Sequence, residues 1–304
     1  MEPGLSSRRL VIGSRGSQLA LWQARHIAAC LKDLGVETLL EIIKTTGDKI
    51  TDVPLAQVGG KGLFTKEIED ALLAGAIDLA VHSLKDMPTA LPADLALTAI
   101  PEREDARDAL IGLPLSALKP GDKVGTSSLR RAAQLHALGR GFAIETLRGN
   151  VDTRLRKLDE GQYASIVLAA AGLRRLGWAE RICEMFDPAT MCPAVGQGAL
   201  AIETREDGGP AQEIVRQLNH SATEIAVTAE RALLAALEGG CQVPIGAHAR
   251  VEGRRIYLQA VVASPDGSRV LRESGDGQEP VSLGRAVAEK LLAAGAAQIL
   301  RDAR

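Results

Sequence analysis

Aromatic residues are scarce: three Phe, two Tyr and two Trp in 304 residues. The cores must therefore be built from Leu, Ile, Val and Ala, and few rings remain to stack nucleic-acid bases. The five histidines and four cysteines show no Cys-x-x-Cys or His-x-x-x-His spacing, which argues against a metal site. No apolar run reaches membrane-spanning length, and residues 1–9 lack the apolar centre of a leader. These absences read as a cytoplasmic protein with reduced thiols. The net charge of -2 gives no global attraction to DNA or to an anionic membrane. What is present, 46% hydrophobic and 24% charged residues, is ordinary for a soluble globular chain, and the length suits two or three domains.

The near-neutral average hides a local excess. Residues 123–157 hold eight Lys or Arg against two Asp or Glu, and Arg outnumbers Lys 26 to 10 over the chain. Arginine presents a planar fork suited to carboxylates and phosphates, where lysine is a point charge. A nucleic-acid binder built on this segment would show steep salt dependence. The scarcity of rings and the acids elsewhere speak against it.

Along the chain, residues 10–13 read as a strand, 14–17 as a small-residue turn carrying Arg15, and 19–34 as a helix ended by Gly35. A strand over 37–45 completes a β-α-β unit and so a parallel sheet. The polar loop 47–62, with Lys61 among glycines and Phe64 just beyond, reads as a flap over a ligand. A strand at 78–81 delivers Ser83, Lys85 and Asp86 at its carboxyl end, where open α/β sheets bind ligands. On local grounds Asp86 is either chemical or a turn residue ahead of Pro88.

Residues 95–101 read as a strand crossing into a second unit, with 102–108 a polar hinge. That unit repeats the first: a strand at 122–125, N-cap hydroxyls at Thr126, Ser127 and Ser128, then a helix with Arg130 and Arg131 in its first turn. Cations there oppose the helix dipole, so an anion is expected beside them. Strands at 143–147 and 166–169 are followed by Arg148 and Arg154 and by Arg174 and Arg175. Residues 192–200 read as a return strand, and 210–218 and 224–237 as helices. Strands at 245–251, 255–262 and 269–273 and helices at 281–292 and 296–300 then make a small α+β unit.

Between that last long helix and the first of these strands stands Glu238-Gly239-Gly240-Cys241-Gln242-Val243-Pro244-Ile245-Gly246. Two glycines before Cys241 and a proline after it enforce a turn. The sulfur is either a nucleophile presented on that turn or an inert buried thiol.

Several segments taken together resemble the porphobilinogen deaminase (hydroxymethylbilane synthase) family. They are Ser14 to Ala24, Gly59 to Phe64, Val81 to Asp86, Gly125 to Arg131, Leu147 to Arg154 and Gly239 to Pro244, in that order. The resemblance implies an α/β fold of three domains. Two periplasmic-binding-protein-like domains, 1–102 with 200–219 and 103–199, would flank a cleft, and a small α+β domain, 220–304, would carry the cysteine turn. It implies a transferase that joins four porphobilinogen molecules head to tail, with loss of ammonia, and releases hydroxymethylbilane by water. Cys241 would carry a dipyrromethane cofactor through a thioether. Asp86 would be the catalytic carboxylate, with Lys85 beside it. Ser83, Lys85, Asp86, Thr126, Ser127, Ser128, Arg130, Arg131 and Gly149 would bind the cofactor. Arg15, Ser17, Arg148, Arg154, Arg175, Gln197, Lys61 and Phe64 would bind substrate, Phe64 by stacking on a pyrrole. No metal is implied, and a monomer is expected. Arg174 has no place in these motifs and reads as a surface residue. The alternative is a two-domain anion-binding module without catalysis, which explains the arginines but not Asp86 or the Cys241 turn.

Overall fold

A computed structural model describes residues 9–49, 63–239 and 243–303. The chain divides into two units, Met1–Glu102 with Leu200–Ser221, and Arg103–Ala199 with Ala222–Arg304. Unit 1 begins with β1 (Leu10–Ser14), α1 (Gln18–Asp33), β2 (Thr38–Ile42), α2 (Thr46–Lys49), α3 (Lys66–Leu73), β3 (Leu79–Ser83) and β4 (Leu95–Ala99). The chain enters unit 2 through β5 (Asp108–Gly112), β6 (Lys123–Gly125), α4 (Leu129–His136), β7 (Ala143–Glu145), α5 (Val151–Asp159), β8 (Ser165–Ala169), α6 (Ala170–Arg175) and β9 (Glu184–Met185). It returns to unit 1 as β10 (Leu200–Arg205) and α7 (Pro210–Arg216). Unit 2 then ends with α8 (Ser221–Ala236), β11 (Ile245–Glu252), β12 (Arg255–Ala263), β13 (Val270–Gly277), α9 (Pro280–Ala293) and α10 (Ala296–Asp302).

The sheet of unit 1 runs β2-β1-β3-β10-β4, and that of unit 2 runs β7-β6-β8-β5-β9. In each, three parallel strands are followed by one antiparallel strand, β10 or β5, that comes from the opposite end of the chain segment. This duplicated order gives the two expected α/β sheets, alike in topology. The central strands β3 and β8 are buried over nearly their whole length, as parallel strands covered on both faces must be. Helix α1 covers one face of the first sheet with Ala20, Ala24, Ile27 and Leu31 at helical spacing, and Gly35 at φ 80° closes it. The third sheet, β11-β12-β13, is antiparallel. Its Ile245, Leu258 and Val262 pack on Leu233 of α8 and on Val287 and Leu291 of α9, giving the expected α+β unit.

Two sequence expectations change. The strand expected over 95–101 ends at Ala99 inside unit 1, and the residue that opens the second sheet is Asp108, not a hinge position. The return strand expected over 192–200 begins only at Leu200. Pro193 has no amide proton, Gly196 and Gly198 take φ 70° and 86°, and the peptide of Cys192 is bonded to side chains, so no ladder can form there.

Helices α8 and α9 approach so closely that a Cβ on Gly284 would lie 2.4 Å from the Ala229 carbonyl oxygen. Gly284→Ala is expected to lower stability by about 1–3 kcal/mol through overpacking, read as a lower urea midpoint with unchanged slope.

Candidate active site

In unit 1 the turn after β1 is organised by Ser17, whose hydroxyl caps α1 by accepting from Ala20 N at 3.3 Å. Arg15, in the same turn, places its guanidinium 4.2 Å from the centroid of the Phe64 ring, a cation–π pair. Gly47 makes room for that ring, since a Cβ there would fall 2.2 Å from it. The loop base is closed by Gly47 N donating to Leu63 O at 2.7 Å, and by Thr46 N donating to the Glu67 carboxylate at 2.8 Å. Phe64, expected to stack on a pyrrole, thus lies on an arginine. Lys61 falls outside the described residues.

Strand β3 ends at Ser83, whose hydroxyl accepts from the buried Gln23 amide at 2.9 Å. Residues Leu84–Asp86 form a single 3-10 turn. Leu84 and Met87 are buried at 1% and 2% exposure, whereas Asp86 between them is exposed and Lys85 half-buried. Two apolar anchors therefore hold a turn whose polar residues project outward. That is the placement expected of a carboxylate at the end of a strand.

In unit 2 the first turn of α4 is built from hydroxyls. Ser128 caps it, accepting from Arg131 N at 3.4 Å, Thr126 Oγ1 accepts from Ser128 N at 3.2 Å, and Ser127 donates to Leu147 O at 2.6 Å. Arg130 and Arg131 do not reach solvent; they are 4% and 6% exposed and converge on Asp108, which is fully buried. Arg130 Nη1 donates to Asp108 Oδ2 at 2.7 Å and to Cys192 O at 2.6 Å. Arg131 donates to Asp108 Oδ1 through Nε at 2.9 Å and Nη2 at 2.7 Å, and to Val167 O at 3.1 Å. Gln197, also fully buried, bridges Asp108 Oδ1 at 3.0 Å and Ala106 O at 2.7 Å. Burial alone would raise the Asp108 carboxyl, but the two guanidiniums hold it well below the usual carboxylate range. Burial also lowers Arg131.

Asp108 is thus the anion that the helix-start arginines require, and the sequence reading missed it. The signal was present: an acid heading a short apolar run, Asp108-Ala-Leu-Ile, marks a buried charge that needs partners. The balance is uneven, with two guanidiniums for one carboxylate. Arg130 Nε is buried and finds no partner among the described residues. A carboxylate-rich ligand suits such a site.

The remaining arginines are arranged by their own loops. Gly149 adopts φ 111° and lets the chain turn tightly; a Cβ there would lie 2.6 Å from the Thr153 side chain. Its carbonyl accepts from Arg154 Nε at 2.7 Å, and the Arg148 carbonyl accepts from Lys157 at 3.3 Å. The Arg148 and Arg154 side chains are half-buried. Arg175 donates to Gly198 O at 2.6 Å, and burial lowers it to about 10 against the opposing charge of Glu104. Arg174, read as a surface residue, pairs with Glu104 at 2.9 Å and Asp105 at 3.3 Å. Cys241 lies outside the described residues. Of the described thiols, burial pushes Cys192 up to about 12, which makes it a poor nucleophile.

Asp108→Asn is expected to cost about 3–5 kcal/mol, because it leaves two buried guanidiniums without their carboxylate. The sign with pH follows from a depressed folded value. The stabilisation is present in full above the unfolded carboxyl value, about 3.9, and drains as acid protonates the folded state. Urea unfolding across the acid range should therefore show a steeper loss in the wild type than in Asp108→Asn.

Two family models match the chain. Residues 10–238 match "Porphobilinogen deaminase, dipyromethane cofactor binding domain", and residues 224–293 match "Porphobilinogen deaminase, C-terminal domain". The chain is 50% identical to a porphobilinogen deaminase of Syntrophobacter fumaroxidans, with 98% of this chain and 99% of that protein aligned. It is 53% identical to one from Methylobacillus flagellatus, over 96% and 97% of the two chains. It is 55% identical to one from Gloeobacter violaceus, over 97% and 93%.

Proposed function

The chain belongs to the porphobilinogen deaminase family, and from that premise we propose that it condenses four porphobilinogen molecules head to tail, releasing ammonia and then hydroxymethylbilane. The observation that carries this reading is the exposed Asp86 on a turn pinned by buried Leu84 and Met87. Loss of ammonia from an aminomethylpyrrole leaves a cation, which a single fixed carboxylate can stabilise. Asp86 also exchanges protons at the condensing carbons. Lys85, beside it, answers the carboxylates that each porphobilinogen brings.

Arg15, Ser17, Arg148, Arg154 and Arg175 hold the acetate and propionate groups of the substrate, Arg148 serving elongation and Arg154 initiation. Gln197 joins the substrate-binding residues from its place on Asp108, which holds Arg130 and Arg131, and Lys61 and Phe64 act from the loop. The dipyrromethane cofactor, attached through a thioether to Cys241, fits the donor set of unit 2. The two-to-one excess of guanidinium over carboxylate around Asp108, with the open Arg130 Nε, supports that fit. Ser83, Lys85, Asp86, Thr126, Ser127, Ser128, Arg130, Arg131 and Gly149 would hold it. When bound, it supplies the pyrrole terminus from which the chain grows and stays with the protein. A cytoplasmic, monomeric transferase of three domains, the third covering 220–304, completes the reading.

The experiment is turnover of porphobilinogen by wild type and Asp86→Asn, with intact mass recorded for both. Asp86→Asn should keep the primer's added mass and lose about a hundredfold or more in rate. Wild-type rates in Asp86→Asn would remove Asp86 from its role.

A further inference from the structure

Beneath the Asp86 turn, unit 1 buries three ionisable groups that the proposed reaction does not use. His82 on β3 is 7% exposed, Glu203 on β10 is 0% exposed and Glu69 on α3 is 7% exposed. His82 Nε2 lies 3.1 Å from Glu203 Oε2. The antiparallel register pairs Glu203 with Ala80 and Ala201 with His82, so both side chains leave the same face of the sheet. Helix α3 turns Ile68, Glu69 and Leu72 inward. Glu203 Oε1 and Glu69 Oε1 are buried and find no hydrogen-bond partner among the described residues.

The charges do not close. Even with a protonated imidazole, two ionised carboxylates would leave one buried negative charge without an answer. Among the described residues, no other cation faces them from the elements packed on α3. Strands β1 and β4 carry no ionisable side chain, and β3 carries His82 alone. Arg205 on β10 is committed to Asp78 at 3.6 Å, Asp207 at 3.2 Å and the carbonyls of Leu72 and Ile77 at 2.7 and 2.8 Å. On α3 itself Lys66 and Asp70 are exposed, and Glu67 bonds Thr46. A buried carboxyl in this position neutralises itself by keeping a proton.

We propose that Glu69 retains its proton in the folded protein and offers it to Glu203 Oε1, directly or across one buried water, so that a Glu69–Glu203–His82 chain locks α3 to β3 and β10 under the Asp86 turn. These three are positioning residues: His82 lies four residues before Asp86 on the strand that sets that turn. This functional part rests on the porphobilinogen reading above. Burial pushes the Glu69 carboxyl up, the Thr65 hydroxyl beside it pulls the other way, and the Glu203 charge pushes it up again. A raised folded value stabilises fully below the ordinary glutamic acid value, and the contribution is lost as pH rises through the folded one. The lock therefore weakens as pH rises through the folded value.

Infrared spectra in heavy water read the proton directly. The wild type should show a protonated-carboxyl stretch that Glu69→Gln abolishes. In turnover assays of the intact holoenzyme, Glu69→Gln, which cannot ionise, should remove the fall in kcat that loss of this proton causes as pH rises, with KM unchanged. Glu203→Gln, which leaves one acceptor oxygen to serve both His82 and Glu69, should lower kcat severalfold at unchanged KM. A stretch that survives Glu69→Gln, or a fall of kcat with rising pH that Glu69→Gln leaves unmoved, would overturn the proposal. The infrared arm needs no turnover, so failure of the porphobilinogen reading and failure of the proton assignment are seen separately.

Discussion

A single buried carboxylate, Asp108, clasped by two guanidiniums, is the constraint on which unit 2 depends. Removing three charges from water costs several kcal/mol per ion and is recovered only where geometry and further hydrogen bonds are complete. Here they nearly are: Arg131 is held by Asp108, Val167 O and Gln197, and Arg130 by Asp108 and Cys192 O. The clasp joins the first residue of β5, the first turn of α4 and the segment leading to β10. It also fixes why that segment stays out of the ladder, since Gln134 takes the Cys192 amide at 2.8 Å. Among the described residues of the clasp, one positive charge is left over.

Unit 1 uses the opposite device. Its key carboxylate, Asp86, is exposed, and what is buried is the support: Leu84, Met87, the Gln23–Ser83 hydrogen bond and the His82–Glu203 pair. On the proposed reading, the carboxylate that meets a transient cation is kept in reach of solvent and substrate, while its backbone is fixed from below. Arg15 and Phe64 are likewise set on each other.

Much of this was legible in the sequence. Apolar runs at 10–13, 78–81 and 166–169, punctuated by Gly35 and by the Ser128 cap, gave the strands and helices that position Arg15, Asp86 and Arg130. The motif order also gave the family. What stayed hidden were partnerships between residues far apart in the chain. Nothing local pairs Asp108 with Arg131, or His82 with Glu203 across 121 positions. Asp108 read as the end of a polar hinge because a short strand headed by an acid looks like a loop. Residues 192–199 read as a strand because apolar periodicity does not register that Pro193, two left-handed glycines and side-chain bonds have consumed the backbone.

The central claim is that the uncompensated guanidinium beside Asp108 retains a carboxylate of the dipyrromethane. Arg130→Gln tests it most directly, because it leaves Arg131 and Asp108 as a balanced pair. The account predicts a folded protein whose intact mass is that of the bare sequence, where the wild type carries the added mass of the primer. A folded Arg130→Gln protein bearing the primer in full would contradict it.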